Sequence, residues 1–218
     1  MTKEKLAQMI DHTNLKAFAD DAAIKKLCDE AKKYNFKAVA INGAQIERCK
    51  KYLEGSQVHI GATVGFPLGQ MTVESKVFET EDAIAKGAHE IEYVLNVAEL
   101  KNGNTELIER EMRLITEVCR RNGVISKVIF ENCYLTDDEK RTAAKIAAKV
   151  KPDFIKTSTG FGTGGATVED VRLMKEAVGD GVRVKAAGGI RDYETAMAMI
   201  EAGAERLGTS AGVELMQH

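Results

Sequence analysis

Two lysines at the ends of consecutive apolar runs are the residues best suited to chemistry in this chain. Lys156 lies in the run Phe154–Gly160 and Lys185 in the run Val182–Gly189, and small residues and glycines follow each lysine. An ammonium group in such a position points into a pocket, and repulsion between two neighbouring ammonium groups favours the neutral amine on one of them. A neutral lysine amine attacks carbonyl carbon. The pair therefore predicts Schiff-base catalysis on a carbonyl substrate.

The competing interpretation is that both lysines are ordinary surface charges. Most lysines are solvated, and a lone lysine after an apolar run more often extends into water at the end of a strand than takes part in catalysis. Here both lysines precede glycine-rich turns, and a single helical segment separates the two runs. We therefore favour the catalytic interpretation.

Composition places the chain among ordinary globular proteins. The length of 218 residues, with 44% hydrophobic and 29% charged residues, favours a single domain that spans residues 1–218. The formal net charge of -2 argues against a nucleic-acid partner. No apolar run has the roughly 18 residues of a membrane span, and the N-terminus lacks a signal-peptide pattern. Four dispersed cysteines indicate reduced thiols in the cytoplasm. Four dispersed histidines give no reason to expect a metal or a cofactor.

Short apolar runs alternate with amphipathic helical segments along the whole chain. The predicted strands are Gln8–His12, Phe36–Ile41, Val58–Val64, Glu90–Asn96, Ser126–Glu131, Asp153–Thr157, Val182–Ala186 and Glu205–Gly208. The predicted helices are Asp21–Tyr34, Ala44–Leu53, Thr72–Lys86, Thr105–Asn122, Asp137–Val150, Val168–Val178 and Tyr193–Ala202. Eight such strands favour a closed (β/α)8 barrel of the α/β class. An open doubly wound sheet would require a Gly-x-Gly-x-x-Gly turn after an early strand, and the chain has none there.

Charged residues fall at or near the strand ends, where a (β/α)8 barrel builds its active site. Asp11 lies at the C-terminal end of the first predicted strand, Glu92 lies within the fourth, and Lys156 and Lys185 lie at the ends of the sixth and seventh. Carboxylates and lysines that share one mouth of the barrel shift each other's pKa values. We expect these four residues to form the catalytic group.

Glycine-rich turns after the last strands predict a phosphate site. Loops after the seventh and eighth strands commonly bind phosphate through backbone N–H groups, and glycine permits the close approach of the backbone. Each turn alone would be an ordinary tight turn, but two of them in these two loops favour phosphate binding. The candidate residues are Gly188, Gly189, Thr209, Ser210, Thr159 and Gly160.

Four segments resemble the deoxyribose-phosphate aldolase family, nearly from end to end of the chain. They are Ile10–Thr13, Gly65–Gly69, Phe154–Phe161 and Val184–Arg191. The resemblance implies a (β/α)8 barrel without metal or cofactor, often a homodimer. It also implies reversible cleavage of 2-deoxy-D-ribose 5-phosphate to acetaldehyde and D-glyceraldehyde 3-phosphate.

The resemblance further implies a role for each predicted residue. Lys156 would form the Schiff base, and Lys185 would lie near it, hold its pKa down and share in proton transfer. Glu92 would work with Lys185 on the C3 hydroxyl proton, and Asp11 would orient a lysine or a substrate hydroxyl. The 5-phosphate would lie against the glycines at 188 and 189 and the hydroxyl residues at 209 and 210.

The chain departs from the family pattern at three places. Glu92 stands where the family has aspartate, Ala40–Gly43 lacks a cysteine that many relatives carry, and the end Leu215–His218 lacks a tyrosine that some members have. The missing thiol predicts that the enzyme tolerates high acetaldehyde better than relatives with that cysteine.

Two alternatives stay open from the sequence. A lyase that forms a Schiff base with another sugar phosphate or keto acid phosphate would need the same residues. A non-catalytic barrel that binds sugar phosphates is the other alternative, but phosphate binding alone does not need Lys156, Lys185 and Asp11.

Overall fold

Eight parallel strands close into a barrel at the centre of the molecule. The computed structural model describes residues 1–217, so His218, the last residue of the tail that lacks a tyrosine, lies outside the described residues. The strands are β1 (Ile10–Asn14), β2 (Ala38–Asn42), β3 (His59–Val64), β4 (Glu90–Val94), β5 (Ile125–Ile129), β6 (Phe154–Lys156), β7 (Arg183–Ala187) and β8 (Ala204–Thr209). They pair in chain order and β8 pairs with β1. The predicted (β/α)8 barrel is confirmed.

Helices surround the barrel and connect successive strands. Within residues 1–217 they are α1 (Lys3–Ala7), α2 (Asp21–Tyr34), α3 (Ile46–Tyr52), α4 (Val73–Lys86), α5 (Val97–Lys101), α6 (Thr105–Arg121), α7 (Asp137–Val150), α8 (Val168–Val178), α9 (Tyr193–Glu201) and α10 (Gly212–Leu215). In the described part of the chain, no helix is both long and apolar enough to cross a membrane.

Side-chain caps define where the long helices begin. The Thr136 hydroxyl accepts the Glu139 N–H and the Glu139 carboxylate accepts the Thr136 N–H, which forms a capping box at the start of α7. Thr167 caps α8 in a simpler way, because its hydroxyl accepts the Asp170 N–H while the Asp170 carboxylate accepts Lys140 Nζ instead. The predicted bounds of α2, α7 and α8 match the structure.

Of the differences between the predicted and the observed elements, the one at the first strand matters most for the site. It begins at Ile10 rather than Gln8, because the chain up to residue 9 forms α1 and a turn. Asp11 is therefore the second residue of β1 rather than near its C-terminal end, and its side chain is buried within the barrel. The helices α1, α5 and α10 were not predicted, since four or five residues are too few to show a helical period.

The apolar core lies between the outer face of the strands and the helices. Ile24, Leu27 and Ala31 of α2 are buried against it, as are Ile108, Met112 and Ile115 of α6. Such a layer is expected wherever a helix packs on a sheet. The inside of the barrel is different, because charged side chains occupy much of the space that branched apolar residues usually fill.

Candidate active site

A cluster of charged side chains fills the centre of the barrel. It contains three carboxylates and four cations, and each side chain is at most 4% exposed. The members are Asp11, Glu90, Glu92, Lys127, Lys156, Lys185 and Arg206. Burial of one unpaired charge costs several kcal/mol, so this cluster is stable only because charges of opposite sign alternate within it.

Glu92 joins the two predicted catalytic lysines. Its Oε2 accepts a hydrogen bond from Lys156 Nζ at 2.6 Å, and its Oε1 accepts one from Lys185 Nζ at 2.6 Å. Lys127 Nζ also donates to Oε1, at 2.8 Å. Lys156 and Lys185 are paired across β6 and β7, which explains why one carboxylate on β4 reaches both. Glu92 thus separates the two amines and compensates their charge.

Asp11 on β1 fixes Lys185 on β7 from two strands away in the closed barrel. Its Oδ2 accepts hydrogen bonds from Lys185 Nζ and, at 2.7 Å, from Lys127 Nζ. Its Oδ1 accepts Arg206 Nη1 at 2.6 Å. Both carboxylate oxygens are therefore used by protein donors, and Asp11 is fully buried. Of the two roles expected for Asp11, the contacts fit orientation of a lysine.

Two glycines make room for these long side chains. A Cβ at Gly208 would lie 3.0 Å from Lys185 Cε and 2.9 Å from Ala187 Cβ. A Cβ at Gly61 would lie 3.6 Å from Glu92 Oε1 and 3.2 Å from the Val39 carbonyl oxygen. The register between β7 and β8 also shifts beside Lys185, so that Lys185 pairs with Arg206. The strands thus leave space for charges where another barrel has methyl groups.

The cluster separates the pKa values of its members. Burial would raise the pKa of the Asp11 carboxyl, but Lys127, Lys185 and Arg206 outweigh it and hold that pKa far below its usual range. Glu92 is likewise held well below its usual pKa by its three lysines, against the effect of burial.

The lysines of the cluster shift in opposite directions. Burial would lower the pKa of Lys127, but Asp11, Glu90 and Glu92 raise it well above its usual value. Burial, helped by the charges of Lys127 and Lys156, lowers the pKa of Lys185 to about 8 despite the attraction of Asp11 and Glu92. The lowered lysine pKa is thus that of Lys185, the residue expected to act on its neighbour. That amine can lose and regain a proton near neutral pH.

A cavity of about 550 Å³ opens at the C-terminal end of the barrel, above the cluster. Lys156 lines this cavity, whereas Glu92, Lys185 and Asp11 lie beneath it and are not part of its wall. Lys156 is the last residue of β6 and is 3% exposed. Among the described residues of the charged cluster, Lys156 alone reaches the cavity. A substrate carbonyl in the cavity would therefore meet the Lys156 amine first.

The six predicted phosphate residues all line the same cavity, but they do not offer equal donors. Gly188 and Gly189 both have positive φ, of 87° and 81°, which places backbone of the loop after β7 at the cavity wall without side chains. Ser210 and Gly160 are exposed at the wall. These four residues have room for a phosphate.

Thr159 and Thr209 line the cavity as predicted, but their hydroxyl groups do not donate into it. The Thr159 hydroxyl donates to Glu131 Oε2, and its N–H donates to Glu131 Oε1 at 3.0 Å. The Thr209 hydroxyl donates to the Ile190 carbonyl oxygen at 2.6 Å. Both hydroxyl protons are thus already used in hydrogen bonds within the protein. Through these bonds each threonine stabilises a loop of the cavity.

Three members of the cluster were missed by the sequence analysis, namely Glu90, Lys127 and Arg206. These three residues lie within β4, β5 and β8, whereas apart from Glu92 the predicted catalytic residues lie at strand ends. A signal was present, since Lys127 lies in the apolar run Ile125–Ile129 and Glu90 shares its strand face with Glu92. Lys16, Lys26 and Arg191 also line the cavity and were not predicted.

The fold and the site together define a (β/α)8-barrel enzyme with its active site at the C-terminal mouth. The chain belongs to a family of aldolases, because the family model described as DeoC/LacD family aldolase matches residues 5–218. The resemblance carried by the lysine motifs is thereby confirmed.

Individual relatives cover the whole chain. A deoxyribose-phosphate aldolase from Lactobacillus acidophilus is 57% identical over 216 residues, which is 99% of this chain and 91% of that protein. One from Bacteroides thetaiotaomicron is 55% identical and covers 100% of this chain and 91% of its own length. The tetrameric deoxyribose phosphate aldolase of Aeropyrum pernix has a TM-score of 0.92 at 29% identity, covering 99% of this chain and 91% of its own.

Proposed function

We propose that the protein is a deoxyribose-phosphate aldolase that uses Lys156 as its Schiff-base residue. It cleaves 2-deoxy-D-ribose 5-phosphate reversibly to acetaldehyde and D-glyceraldehyde 3-phosphate. The observation that carries the proposal is the position of Lys156, which lines the cavity, while its Nζ lies 2.6 Å from Glu92 Oε2. Glu92 in turn joins it to Lys185, the lysine whose pKa is lowered to about 8.

The chemistry needs only an amine and a route for protons. The Lys156 amine adds to the C1 aldehyde of the open-chain sugar and loses water, which forms a protonated imine. A base removes the C3 hydroxyl proton, the C2–C3 bond breaks, and its electron pair moves into the imine. D-Glyceraldehyde 3-phosphate leaves. The remaining enamine is protonated at C2, and water releases acetaldehyde and restores the amine.

In this proposal Lys185 supplies and removes the protons, and the Glu92 carboxylate works with it. A proton carrier works best with a pKa near the operating pH, and Lys185 meets this condition with a pKa of about 8. The pKa of Glu92 is held well below its usual value, so Glu92 stays a carboxylate; it accepts a hydrogen bond from each amine and thereby holds Lys185 beside the Lys156 adduct for proton exchange. Asp11 holds Lys185 in place for this exchange.

The 5-phosphate lies against the loops after β6, β7 and β8. Backbone at Gly160, Gly188 and Gly189, with the Ser210 hydroxyl, forms the part of the wall that is free of bulky side chains. Thr159 and Thr209 support these loops from behind through Glu131 and the Ile190 carbonyl. Arg191 at the rim adds positive charge for a dianionic group.

Trapping of the imine tests the proposal. Acetaldehyde and borohydride should leave a stable two-carbon adduct on Lys156, which peptide mass mapping locates. Lys76 is the matched control in the same map, because it is also fully buried and ion-paired, to Glu111 at 2.6 Å, but lies outside the barrel cluster. We expect no adduct on Lys76. No adduct on Lys156, under conditions that label a known Schiff-base aldolase, would contradict the proposal.

We also propose that the protein is a cytoplasmic homodimer in which residues 1–218 form one domain. Four free cysteines, three of them buried, support a reducing compartment. Exposed apolar side chains such as Phe18, Leu68 and Phe78 could be covered by a second copy. Light scattering after size exclusion should give twice the chain mass, and cell fractionation should place the protein with cytoplasmic markers. A monomer or a tetramer would contradict the assembly proposed here.

A further inference from the structure

The charged side chains inside the barrel alternate in sign from its N-terminal end to the cavity. Glu90 stands deepest, near the start of β4, and Glu92 stands two residues higher on the same face. Lys127 and Arg206 contact Glu90 below and Asp11 above. Asp11 and Glu92 then contact the catalytic lysines. The order along the barrel is Glu90, then Lys127 with Arg206, then Asp11 with Glu92, then Lys185 and Lys156.

Glu90 touches neither the cavity nor the two catalytic lysines, yet it binds groups from three other strands. Its Oε2 lies 2.5 Å from Lys127 Nζ on β5 and 3.1 Å from Arg206 Nη1 on β8. Its Oε1 lies 2.7 Å from Nδ1 of His59 on β3. Asp11 on β1 is the nearby like charge. Glu90 is fully buried, so these donors replace all of its hydration.

We infer that Glu90 is a positioning residue for the aldol site, acting through Lys127 and Arg206 on the carboxylates of Asp11 and Glu92. Lys127 is the clearest link, because its one ammonium group lies within 2.8 Å of all three carboxylates. Arg206 Nη1 joins Glu90 and Asp11 in the same way. Without Glu90, both cations would be held only from above, by the carboxylates that orient the catalytic lysines.

His59 closes the N-terminal end of this arrangement. Its imidazole is 30% exposed, stacks on His89 with ring centroids 5.4 Å apart, and has Lys37 Nζ 3.4 Å from its Nε2. It gives Glu90 a hydrogen-bond partner on the side away from Lys127 and Arg206. Glu90 is thereby held in one position between the barrel end and the cluster.

Loss of the Glu90 charge should act on the chemical step and leave substrate binding unchanged. With all seven groups charged, the cluster has four positive and three negative charges, so Glu90→Gln leaves four against two. The added positive excess disfavours the ammonium form of Lys185. It also draws Asp11 and Glu92 toward Lys127 and Arg206, away from the catalytic lysines.

The test compares wild type, Glu90→Gln and Glu90→Asp. We expect Glu90→Gln to lower kcat for 2-deoxyribose 5-phosphate cleavage about tenfold, the scale of one lost charge-assisted hydrogen bond, with KM within about twofold. The Lys185 titration, followed by NMR of lysine labelled at Cε, should move roughly one pH unit lower. Glu90→Asp keeps the charge and should restore most of both properties.

The matched control is Glu111→Gln, which also removes a buried carboxylate from a lysine, Lys76. It lies outside the barrel cluster, so it should lose stability but keep the wild-type kcat and Lys185 titration. A general loss of packing would instead lower kcat in both variants and leave the Lys185 titration of Glu90→Gln at its wild-type position. That result would overturn the inference.

His59→Leu keeps the inference testable if Glu90→Gln does not fold. His59 is partly exposed, and its replacement removes the imidazole partner of Glu90 without removing a buried charge. We expect kcat to fall about threefold at unchanged KM, the effect of one weaker hydrogen bond. An unchanged kcat in His59→Leu would then overturn the inference.

The kinetic part of this inference rests on the proposed aldolase function. The Lys185 titration does not, because NMR observes it in the absence of substrate. If wild type fails to cleave the sugar phosphate, the proposed function is wrong, and the titration alone still decides whether Glu90 acts on the site. Equal Lys185 titrations in wild type and a folded Glu90→Gln variant would contradict the inference whatever the activity.

Discussion

Glu92 is the residue on which three lysines converge, and its length suits that role. From β4 its two oxygens reach Lys127 and Lys185 on one side and Lys156 on the other, at 2.6 to 2.8 Å. The family pattern has aspartate at this position, so the extra methylene changes where the carboxylate lies. A displacement of about one ångström costs up to ~10²-fold in rate when other groups do not follow it. In this chain the Glu92 carboxylate keeps all three lysine contacts at ordinary hydrogen-bond lengths, so the added methylene is accommodated.

Replacement of the Glu92 carboxylate should affect both rate and pH dependence. We expect Glu92→Gln to lower kcat by roughly 10²- to 10⁴-fold, the usual range for loss of a group in acid–base catalysis. Because Glu92 attracts the Lys185 ammonium, its neutralisation should also move the pKa of Lys185 below about 8. Steady-state kinetics and lysine NMR over pH 6 to 10 measure the two effects.

Glu92→Asp is the control variant, because it keeps the negative charge and shortens the side chain by one methylene. It should keep the Lys185 titration near its wild-type position and retain more activity than the amide variant. If Glu92→Gln and Glu92→Asp lost equal activity, geometry rather than charge would be the contribution of Glu92. A Glu92→Gln enzyme with wild-type kcat would exclude Glu92 from proton transfer.

At the scale of elements, the Glu131 carboxylate is one of the groups that hold the loop after β6 in place. Glu131 follows β5 in the left-handed region, with φ of 57°, which is uncommon for a residue with a side chain. Both of its oxygens accept hydrogen bonds from Thr159, and a Cβ at Gly162 would lie 3.2 Å from its Oε2. Glu131 therefore fixes the position of Thr159, next to Gly160 at the cavity.

Thr159→Val should loosen this loop with little change in volume. The variant removes the hydroxyl that donates to Glu131 Oε2 and leaves a buried carboxylate oxygen without its partner. We expect KM for the phosphorylated sugar to rise about tenfold, and kcat to fall less, because the loop carries the Gly160 backbone and the chemical groups lie elsewhere. Thr159→Ser retains the hydroxyl and should behave like wild type. The KM for unphosphorylated 2-deoxyribose should change less, and an equal change would argue against phosphate binding by this loop.

Much of the fold could be predicted from the sequence, because strands and long helices show their period over many residues. The helices α2, α7 and α8 have the predicted bounds, and the order of strands follows from their alternation with helices. The inside of the barrel could not be predicted in the same way. Lys127 and Arg206 belong to β5 and β8, and only closure of the barrel brings them to Asp11 on β1. Asp11 is separated from Lys127 by 116 positions and from Arg206 by 195 positions, and contacts over such separations leave no trace in the local sequence.

The hydrogen-bond donors at the cavity could also be predicted only in part. Thr159 and Thr209 are the right residue types in the right loops, and both do line the cavity. Whether a hydroxyl faces a ligand or the protein depends on neighbours from other elements, here Glu131 and Ile190. The sequence therefore predicts the loops of the site better than the direction of each side chain.

At the scale of the whole molecule, the charged barrel interior links stability to pH. The pKa of Glu90 is lowered to about 2, because Lys127, His59 and Arg206 outweigh the effect of burial. A carboxyl whose pKa is lower in the folded state stabilises the fold above its unfolded pKa of 4.5, and that contribution is lost as pH falls toward 2. A difference of this size corresponds to about 3 kcal/mol for Glu90. Asp11 and Glu92 act in the same direction.

Urea unfolding at several pH values should show this link directly. We expect Glu90→Gln to be less stable than wild type by roughly 3 to 5 kcal/mol at pH 7, the usual cost of breaking a buried ion pair. This difference in the free energy of unfolding should narrow as pH falls from 5 toward 2, since wild type loses its Glu90 contribution there and the variant has none to lose.

Glu111→Gln should show the opposite dependence of stability on pH, because burial raises the pKa of Glu111 despite Lys76. The stabilising effect of a raised carboxyl pKa is present below 4.5 and is lost as pH rises, so the deficit of Glu111→Gln should widen, not narrow, on acidification. Parallel curves for the two variants would mean that the barrel charges do not set the acid stability of this protein.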